Sequence, residues 1–500
     1  KLDTTERKSG SNSLLIESPT TKAENSFGAV AYTIPGNYVG KEIELRGFIK
    51  YKNVSEGFAG LWLRIDGESG GALEFDNMQS RGLSGTADWT QHSIKLPLPA
   101  EGTRIVVGAL LTGKGQLWVD DLQLMIDGRD ISEAKTRPPI EYKAKKDKEF
   151  DGGSRVDAAR LHAAKTEDLA LLGKVWGFLK YHHPAIAAGD YNWDYELFRV
   201  LPKVLEAKNS DERNAVLSAW VESLGTFETG EAAEKPASEK IKLSADLAWI
   251  NNKTLGDKLA ERLTRVRGAK RSNKHYYIGM APGIGNPQFR NEEAYNSMKY
   301  PDPGFRLLSL YRYWNVIQYY FPYKHLIEEN WHNALAEFIP QFVGARDELE
   351  YKKAALALIG RIHDTHANIW GRDETLEKFR GLNASPVAVT FVEEKAVVTK
   401  IWDQALADKA GLKIGDVIEE INGRKVTDIV KERLALTPAS NYPTKLRDIA
   451  RYLLQSNENS VKIKFRRETN AASQEIQLDL YPKDKLKVNY GEMFNKPIPA

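Results

Sequence analysis

The stretch Ala410-Gly411-Leu412-Lys413-Ile414-Gly415-Asp416-Val417-Ile418-Glu419-Glu420-Ile421-Asn422-Gly423 decides the fold of the C-terminal part of the chain. Gly415 supplies a tight turn. Val417, Ile418 and Ile421 supply the apolar positions of a short strand, and Asn422-Gly423 is a dipeptide for which positive φ is cheap, so the strand returns at once as a hairpin. Working outward, residues 380–482 change to strands around this stretch.

These residues resemble a PDZ domain of the bacterial protease type, spanning 380–482. The resemblance implies a helix from 444 to about 455 ("TKLRDIARYLLQ"), last strands in "SVKIKFRR" and "SQEIQLDL", and an extended peptide that adds to the sheet along the strand Val387–Val392, with Val387 and Val389 on the groove beside that helix. It also implies that a peptide carboxylate sits on backbone N–H groups of the preceding loop, here Arg380-Gly381-Leu382-Asn383-Ala384-Ser385-Pro386. Gly381, Leu382 and Ala384 are the candidate contacts; Pro386 has no N–H to offer. A domain that only packs as a spacer is the plain alternative.

Upstream, the period changes from two to that of a helix. Leu169, Leu172, Trp176 and Leu179 share one face. The text from Leu169, "LALLGKVWGFLKYHHPAIAAGDYNWDYELFRVLPKVLEA", aligns without a gap on "LLSLYRYWNVIQYYFPYKHLIEENWHNALAEFIPQFVGA" from Leu307, a constant offset of 138 positions. Trp176 meets Trp314, Tyr181 meets Tyr319, Pro184 meets Pro322, and Asn192-Trp193 meets Asn330-Trp331. Such matching predicts a duplicated α-helical hairpin, copies near 169–207 and 307–345, with each second helix capped by its Asn. The duplicated helical domain is placed at 156–379.

Residues 1–128 alternate apolar and polar in short runs such as Leu61-Trp62-Leu63-Arg64-Ile65-Asp66, which predicts an N-terminal β-sandwich, and the overall pattern is similar to jelly-roll, galactose-binding-like domains. Trp62, Trp89 and Trp118 are candidates for its exposed side, where aromatic faces stack on sugar rings; a glycan is therefore a candidate partner, although most sandwich aromatics fill cores. Residues 129–155 are charged, Pro-containing and aperiodic, and read as a linker.

The whole chain, 500 residues, reads as multidomain α+β at roughly 100–200 residues per domain. Lys plus Arg is 71 against 68 for Asp plus Glu, so there is no overall field for nucleic acid. With no cysteine there is no disulfide framework and no thiolate nucleophile or zinc site, so any nucleophile must be an oxygen. No metal and no cofactor are expected. Apolar runs stop well short of the ~18–20 residues of a membrane span.

One cluster remains, His363-Asp364-Thr365-His366 in "LIGRIHDTHANIWG". Two histidines at i, i+3 suit a metal only if the helix continues, and no third ligand is evident. A helix end with histidines near its negative pole is the plain reading, and a general base placed at a helix end is the third. A helical segment ending in a hydroxyl residue plus His, followed by a PDZ, is the order of the tricorn-core and C-terminal-processing serine peptidases, which this chain resembles from about 155 to 482. The resemblance maps a general base onto His366 and a neighbouring hydroxyl onto Thr365, where the family more often has Ser. At the same offset the first copy has Gly225-Thr226-Phe227-Glu228, so only the copy next to the PDZ carries the histidines.

No G-x-S-x-G elbow occurs, and Ser132-Glu133-Ala134-Lys135, in the charged stretch, is the only S-x-x-K. The expectation is a non-catalytic N-terminal portion of a serine endopeptidase, with 483–500 leading into a catalytic core that carries the nucleophile, a PDZ that recognises substrate protein or peptide, and a bacterial periplasmic or cell-envelope location. The alternative is a non-catalytic envelope binding protein with a glycan-binding sandwich and a protein-binding PDZ.

Overall fold

The computed structural model describes residues 1–18, 27–67, 71–138, 140–157, 161, 165–230, 245–272, 274–282, 284–468, 471–483 and 485–486. Most of the 483–500 segment therefore lies outside the described residues. The chain is a mixed α+β multidomain protein with an N-terminal β-sandwich, a helical middle and a C-terminal PDZ fold. Three separate apolar cores hold it together.

In the N-terminal sheet one strand, Glu42–Asp66, organises the rest. Its first half lies between Leu83–Pro97 and Lys114–Ile126, and its second half between Arg104–Thr112 and Ala72–Asp76. Register shifts between Ile49 and Ala59 bend it, with Asn53 and Glu56 at φ 55° and 58°. A single sheet thereby curls over its own core. The alternation read from the sequence places Ile43, Leu45, Leu61, Leu63 and Ile65 inside with no exposed surface. Trp118 departs from expectation: it is buried, and its indole N–H donates to Asp3 Oδ2 at 2.8 Å. Alternating with the core residues Leu117 and Val119, it lies on the outer face but is covered there, with its one polar atom on a carboxylate, so it has no open face for a sugar.

The charged stretch 129–155 is laid against both neighbours. Arg137 donates to the carbonyls of Tyr38 and Ala100 in the sandwich. Further on, Phe150 is buried against Tyr195 and Phe198, and Arg199 pairs with Asp147 and Glu149. The sandwich also meets the segment between the helical copies, where Lys274 pairs with Glu101 at 3.0 Å.

The constant offset carries past the hairpin into a third helix. Thr166–His182, Trp193–Glu206 and Ser210–Ser223 correspond to Pro303–Tyr320, Trp331–Gly344 and Glu348–Gly360. Asn192 and Asn330 cap the second helices as expected. Asn209 and Asp347 cap the third, each with a Glu reaching back to the chain ahead of the cap, Glu212 to the Lys208 amide and Glu350 to the Arg346 amide. Pro202 and Pro340, by contrast, lie inside helices.

Each copy is clasped by a reciprocal indole pair. Trp176 donates to the Trp193 carbonyl at 2.9 Å and Trp193 to the Trp176 carbonyl at 3.0 Å; Trp314 and Trp331 repeat this at 2.9 and 3.1 Å. Between the copies, the first helices cross where the first copy has glycine. A Cβ on Gly177 would stand 1.8 Å from Asn315 Oδ1, and one on Gly173 2.6 Å from the Tyr311 ring. Asn315, fully buried, donates to the carbonyls of Gly173 and Tyr311.

A buried ionic group then locks the inter-copy segment onto the bundle. Lys180 pairs with Glu292, Arg312 with Asp194, and the Tyr295 hydroxyl donates to Asp194 at 2.9 Å. In a low-dielectric setting such charges persist only when matched. Lys180 also lies over the Trp176 and Tyr277 rings. Among the described residues no helix is long and apolar enough to cross a membrane.

In the PDZ part the strand order is Val387–Val392, Lys395–Ile401, Val417–Ile421, Ser460–Arg466, Gln474–Asp479. Asn422 and Gly423 adopt φ 50° and 75°, the left-handed pair that the hairpin reading required. The helix expected at 444–455 runs Tyr442–Leu453, because Asn441 caps it by accepting from the Thr444 amide and Gln455 has entered a strand.

Replacing Gly177 with Ala is expected to destabilise the chain by about 1–3 kcal/mol in urea unfolding, the usual cost of overpacking a tight crossing. Gly344→Ala, where an added Cβ meets nothing within 4 Å, leaves the midpoint unchanged or raised. Equal midpoints for the two variants would show that the copies do not depend on this crossing.

Candidate functional site: an edge-strand groove and the loop that touches it

Val387–Val392 is the end strand of its sheet, and the helix Tyr442–Leu453 packs beside its open edge. Val398, the cross-strand partner of Val389, sends its N–H to the Asp416 carbonyl at 2.8 Å and accepts from the Gly415 amide at 2.9 Å, both away from Val389. By the alternation of an antiparallel ladder, Val389 and Phe391 therefore turn their own N–H and C=O groups toward the open edge. Edge strand and helix enclose a groove lined by Ala384, Ser385, Val387, Ala388, Val389, Trp402, Ala450, Arg451, Leu454 and Gln455. It is narrow, about 30 Å³, and its walls are mainly small or branched apolar side chains. Such a wall pattern supplies pockets for alternate side chains of an added strand, while the free backbone edge supplies its hydrogen bonds.

Of the residues expected to contact peptide, the structure brings Ala384, Val387 and Val389 together on this groove and leaves Gly381 and Leu382 off it. Gly381, at φ 107°, ends the short helix Glu374–Arg380, and its amide donates to the Glu377 carbonyl at 2.9 Å. Leu382 is exposed, and its amide donates to Asn457 Oδ1 at 3.2 Å. The loop is thus pulled toward Asn457 and away from the groove. Trp402, Ala450, Arg451 and Leu454 were not singled out as groove residues. The helical spacing of Ala450 and Leu454 would have named one wall once the helix was paired with the edge strand.

The histidine cluster lies at the junction of the helical and PDZ parts. The helix Glu348–Gly360 ends before it, and His363 adopts φ 51°, so His363 and His366 do not share a helical face. Among the described residues no group of three or more His, Cys, Asp or Glu side chains is placed to hold a metal ion. Asp364 organises the turn: its Oδ1 accepts from the His366 amide at 2.8 Å and lies 3.1 Å from His366 Nδ1. The His366 side chain is 98% exposed. With Nδ1 held by a carboxylate, the open Nε2 is the atom able to exchange a proton with a group brought to it.

Thr365 stands next to His366 in sequence but is turned to a different task. Its Oγ1 lies 3.0 Å from Ser440 Oγ and accepts from the Ser440 amide at 3.1 Å. Ser440 directly precedes Asn441, the cap of the groove helix. Through these two hydrogen bonds the His366 loop touches the loop that starts one wall of the groove. Trp370, 74% exposed, donates its indole N–H to the His366 carbonyl at 2.9 Å.

Residues 375–440 match the PDZ domain family. Over 83 residues the chain is 42% identical to the uncharacterized HTH-type transcriptional regulator YbfP of Bacillus subtilis (strain 168), a stretch that covers 17% of this chain and 28% of that protein. The chain thus spans little more than a quarter of that relative's length. Among solved structures, the CBM22-1 xylan-binding domain of Paenibacillus barcinonensis Xyn10C is 14% identical, covering 26% of this chain and 80% of that one at a TM-score of 0.20. TmCBM61 in complex with β-1,4-galactotriose is 12% identical over 24% of this chain and 73% of that one, at 0.18. The photosystem II D1 C-terminal processing protease is 15% identical over 35% of this chain and 43% of that one, at 0.20. The PDZ match covers the edge strand and ends at Ser440, directly before the groove helix, and PDZ domains bind peptides.

Thr365→Val removes both bonds to Ser440 with little change of volume. Hydrogen exchange at the Ser440 amide is expected to accelerate about tenfold, with the PDZ core strands unchanged. Unaltered exchange at Ser440 would show that the two loops are not joined through Thr365.

Proposed function

We propose that this chain is the substrate-recruiting part of a serine endopeptidase of the C-terminal-processing or tricorn type, and that the groove beside Val387–Val392 is its recruiting element. The observation that carries the reading is the open backbone edge of Val389 and Phe391 beside an apolar groove, at the end of a sheet in a region that matches the PDZ family. The peptidase context rests on chain order, with Asp364-Thr365-His366 following the second helical copy and meeting the PDZ at Ser440. In that context His366, oriented by Asp364, takes the proton of a serine hydroxyl supplied by another domain or chain, and gives it up to the leaving amine.

Fluorescence anisotropy with labelled extended peptides and the 500-residue chain tests the recruiting step. Binding in the micromolar range is expected, and Ala450→Leu, which fills the groove, is expected to weaken it about tenfold or more with the fold retained. Millimolar or absent binding by a folded chain would favour a spacer. The same chain is expected not to turn over fluorogenic casein by itself, since it offers a candidate base without a serine elbow. In the assembled peptidase, His366→Ala is expected to lower kcat by about 10²–10⁴ while leaving Tm in place; wild-type turnover from the well-folded variant would remove His366 from the mechanism.

A second reading concerns the sandwich. Trp62 alternates outward from Leu61 and Leu63, and its ring meets the 41% exposed Phe75 edge-on at 6.4 Å. This aromatic edge supports stacking on a sugar ring. Tryptophan fluorescence titrated with soluble β-1,4-linked xylan or galactan is expected to saturate in the wild type and not in Trp62→Ala; a flat titration of the wild type would end this reading.

A further inference from the structure

Capturing a chain terminus in a PDZ groove requires free backbone donors in the loop ahead of the edge strand, because a carboxylate displaced from water must be met by several N–H groups at once. In this chain most of those donors are committed elsewhere. The Gly381 amide goes to Glu377 and the Leu382 amide to Asn457. Asn383 and Ala384 form the middle strand of a three-stranded sheet, paired with Gln455–Ser456 on one side and Tyr481–Pro482 on the other. Pro386 has no N–H, so the Val387 amide, held by the displaceable Ser385 Oγ at 3.1 Å, is one donor where a carboxylate needs several. The cation nearest the groove, Arg451, stands 3.3 Å from Asp448, which Arg447 also engages at 3.0 Å.

Among the described residues nothing comparable restricts the strand itself. Val389 and Phe391 keep their backbone groups on the open edge, and the buried Ser385 hydroxyl stands at Val387 where the carbonyl of an added strand would accept the same N–H. We propose that the groove takes an internal extended segment of a polypeptide, not a free C-terminus, and that Ser385 Oγ is the group such a segment displaces. The side chain that enters is apolar, since Ala388, Val389, Ala450 and Leu454 line the groove. The inference rests on the peptide-recruiting reading of this groove and departs from it in the class of ligand: a loop or an unfolded stretch within a protein, whose ends lie elsewhere.

The experiment separates the two. A randomised hexapeptide library flanked on both sides by Gly-Ser spacers, and the same library ending in a free carboxylate, are panned against the full chain. Selected sequences are remade as free acids and as C-terminal amides and titrated by anisotropy. Enrichment from the flanked library, with acid and amide affinities within about threefold, is the expected result. Affinity at least about tenfold higher for the acid would overturn the inference and leave the recruiting groove standing. If neither library yields a binder that Ala450→Leu abolishes, the groove reading fails and this inference with it. Ser385→Ala, which frees the Val387 amide, is expected to tighten flanked peptides several-fold; unchanged or weaker binding by the folded variant would overturn the displacement role of Ser385.

Discussion

The close crossing of the two first helices, where Gly177 makes room for Asn315, is the constraint on which the middle of the molecule depends. Each copy is already clasped by its own pair of indoles, but a clasped copy still has an apolar face to bury. Two missing side chains on one copy, with an Asn and a Tyr on the other, bring the backbones close enough for side-chain amide and phenol to bond across to main-chain carbonyls. Any Cβ at these glycines would push the helices apart and strip the fully buried Asn315 of its bond to Gly173, leaving it only the Tyr311 carbonyl of its own helix, a costly loss for a buried polar group. From that crossing the rest is hung: Lys180, Glu292, Arg312 and Asp194 lock the inter-copy segment, and that segment in turn meets the sandwich through Lys274 and Glu101.

At the other end of the bundle the second copy meets the PDZ part. Gly360, at the end of the third helix, lies close against the Ala435 carbonyl, and the Thr365 hydroxyl meets the Ser440 loop immediately before the cap of the helix that walls the groove. An apolar edge strand is a hazard in any soluble sheet, since its free backbone groups pair with whatever strand arrives. Here the hazard is contained by the helix laid beside it and by Ser385 on the first exposed amide. What remains uncovered is a short run of backbone with apolar walls, a surface shaped for a strand of another chain.

His366 and Thr365 illustrate how neighbours in sequence part company in space. An Asx turn set by Asp364 sends the imidazole out into solvent and the threonine hydroxyl toward Ser440. The first helical copy, with Gly225-Thr226-Phe227-Glu228 at the same offset, has no Asp364 to set such a turn. The duplication supplied a helix end, and the second copy alone acquired a turn there that serves both a histidine and a contact with the next domain.

Local chemistry was legible without coordinates. Alternation placed Leu61, Leu63 and Ile65 inside the sandwich, the constant offset exposed the helical repeat and its Asn caps, and Asn422-Gly423 announced the hairpin, because each depends on residues within a few positions of one another. Contacts between distant segments were not legible. Trp118 alternates as an outward residue would and is buried because Asp3, more than a hundred positions away, accepts its indole N–H. Leu382 sits where a carboxylate loop is expected, yet Asn457, far along the chain, claims its amide. Propensity and periodicity determine which elements form; which backbone donors those elements leave free is decided only when strands and loops far apart in the chain compete for them.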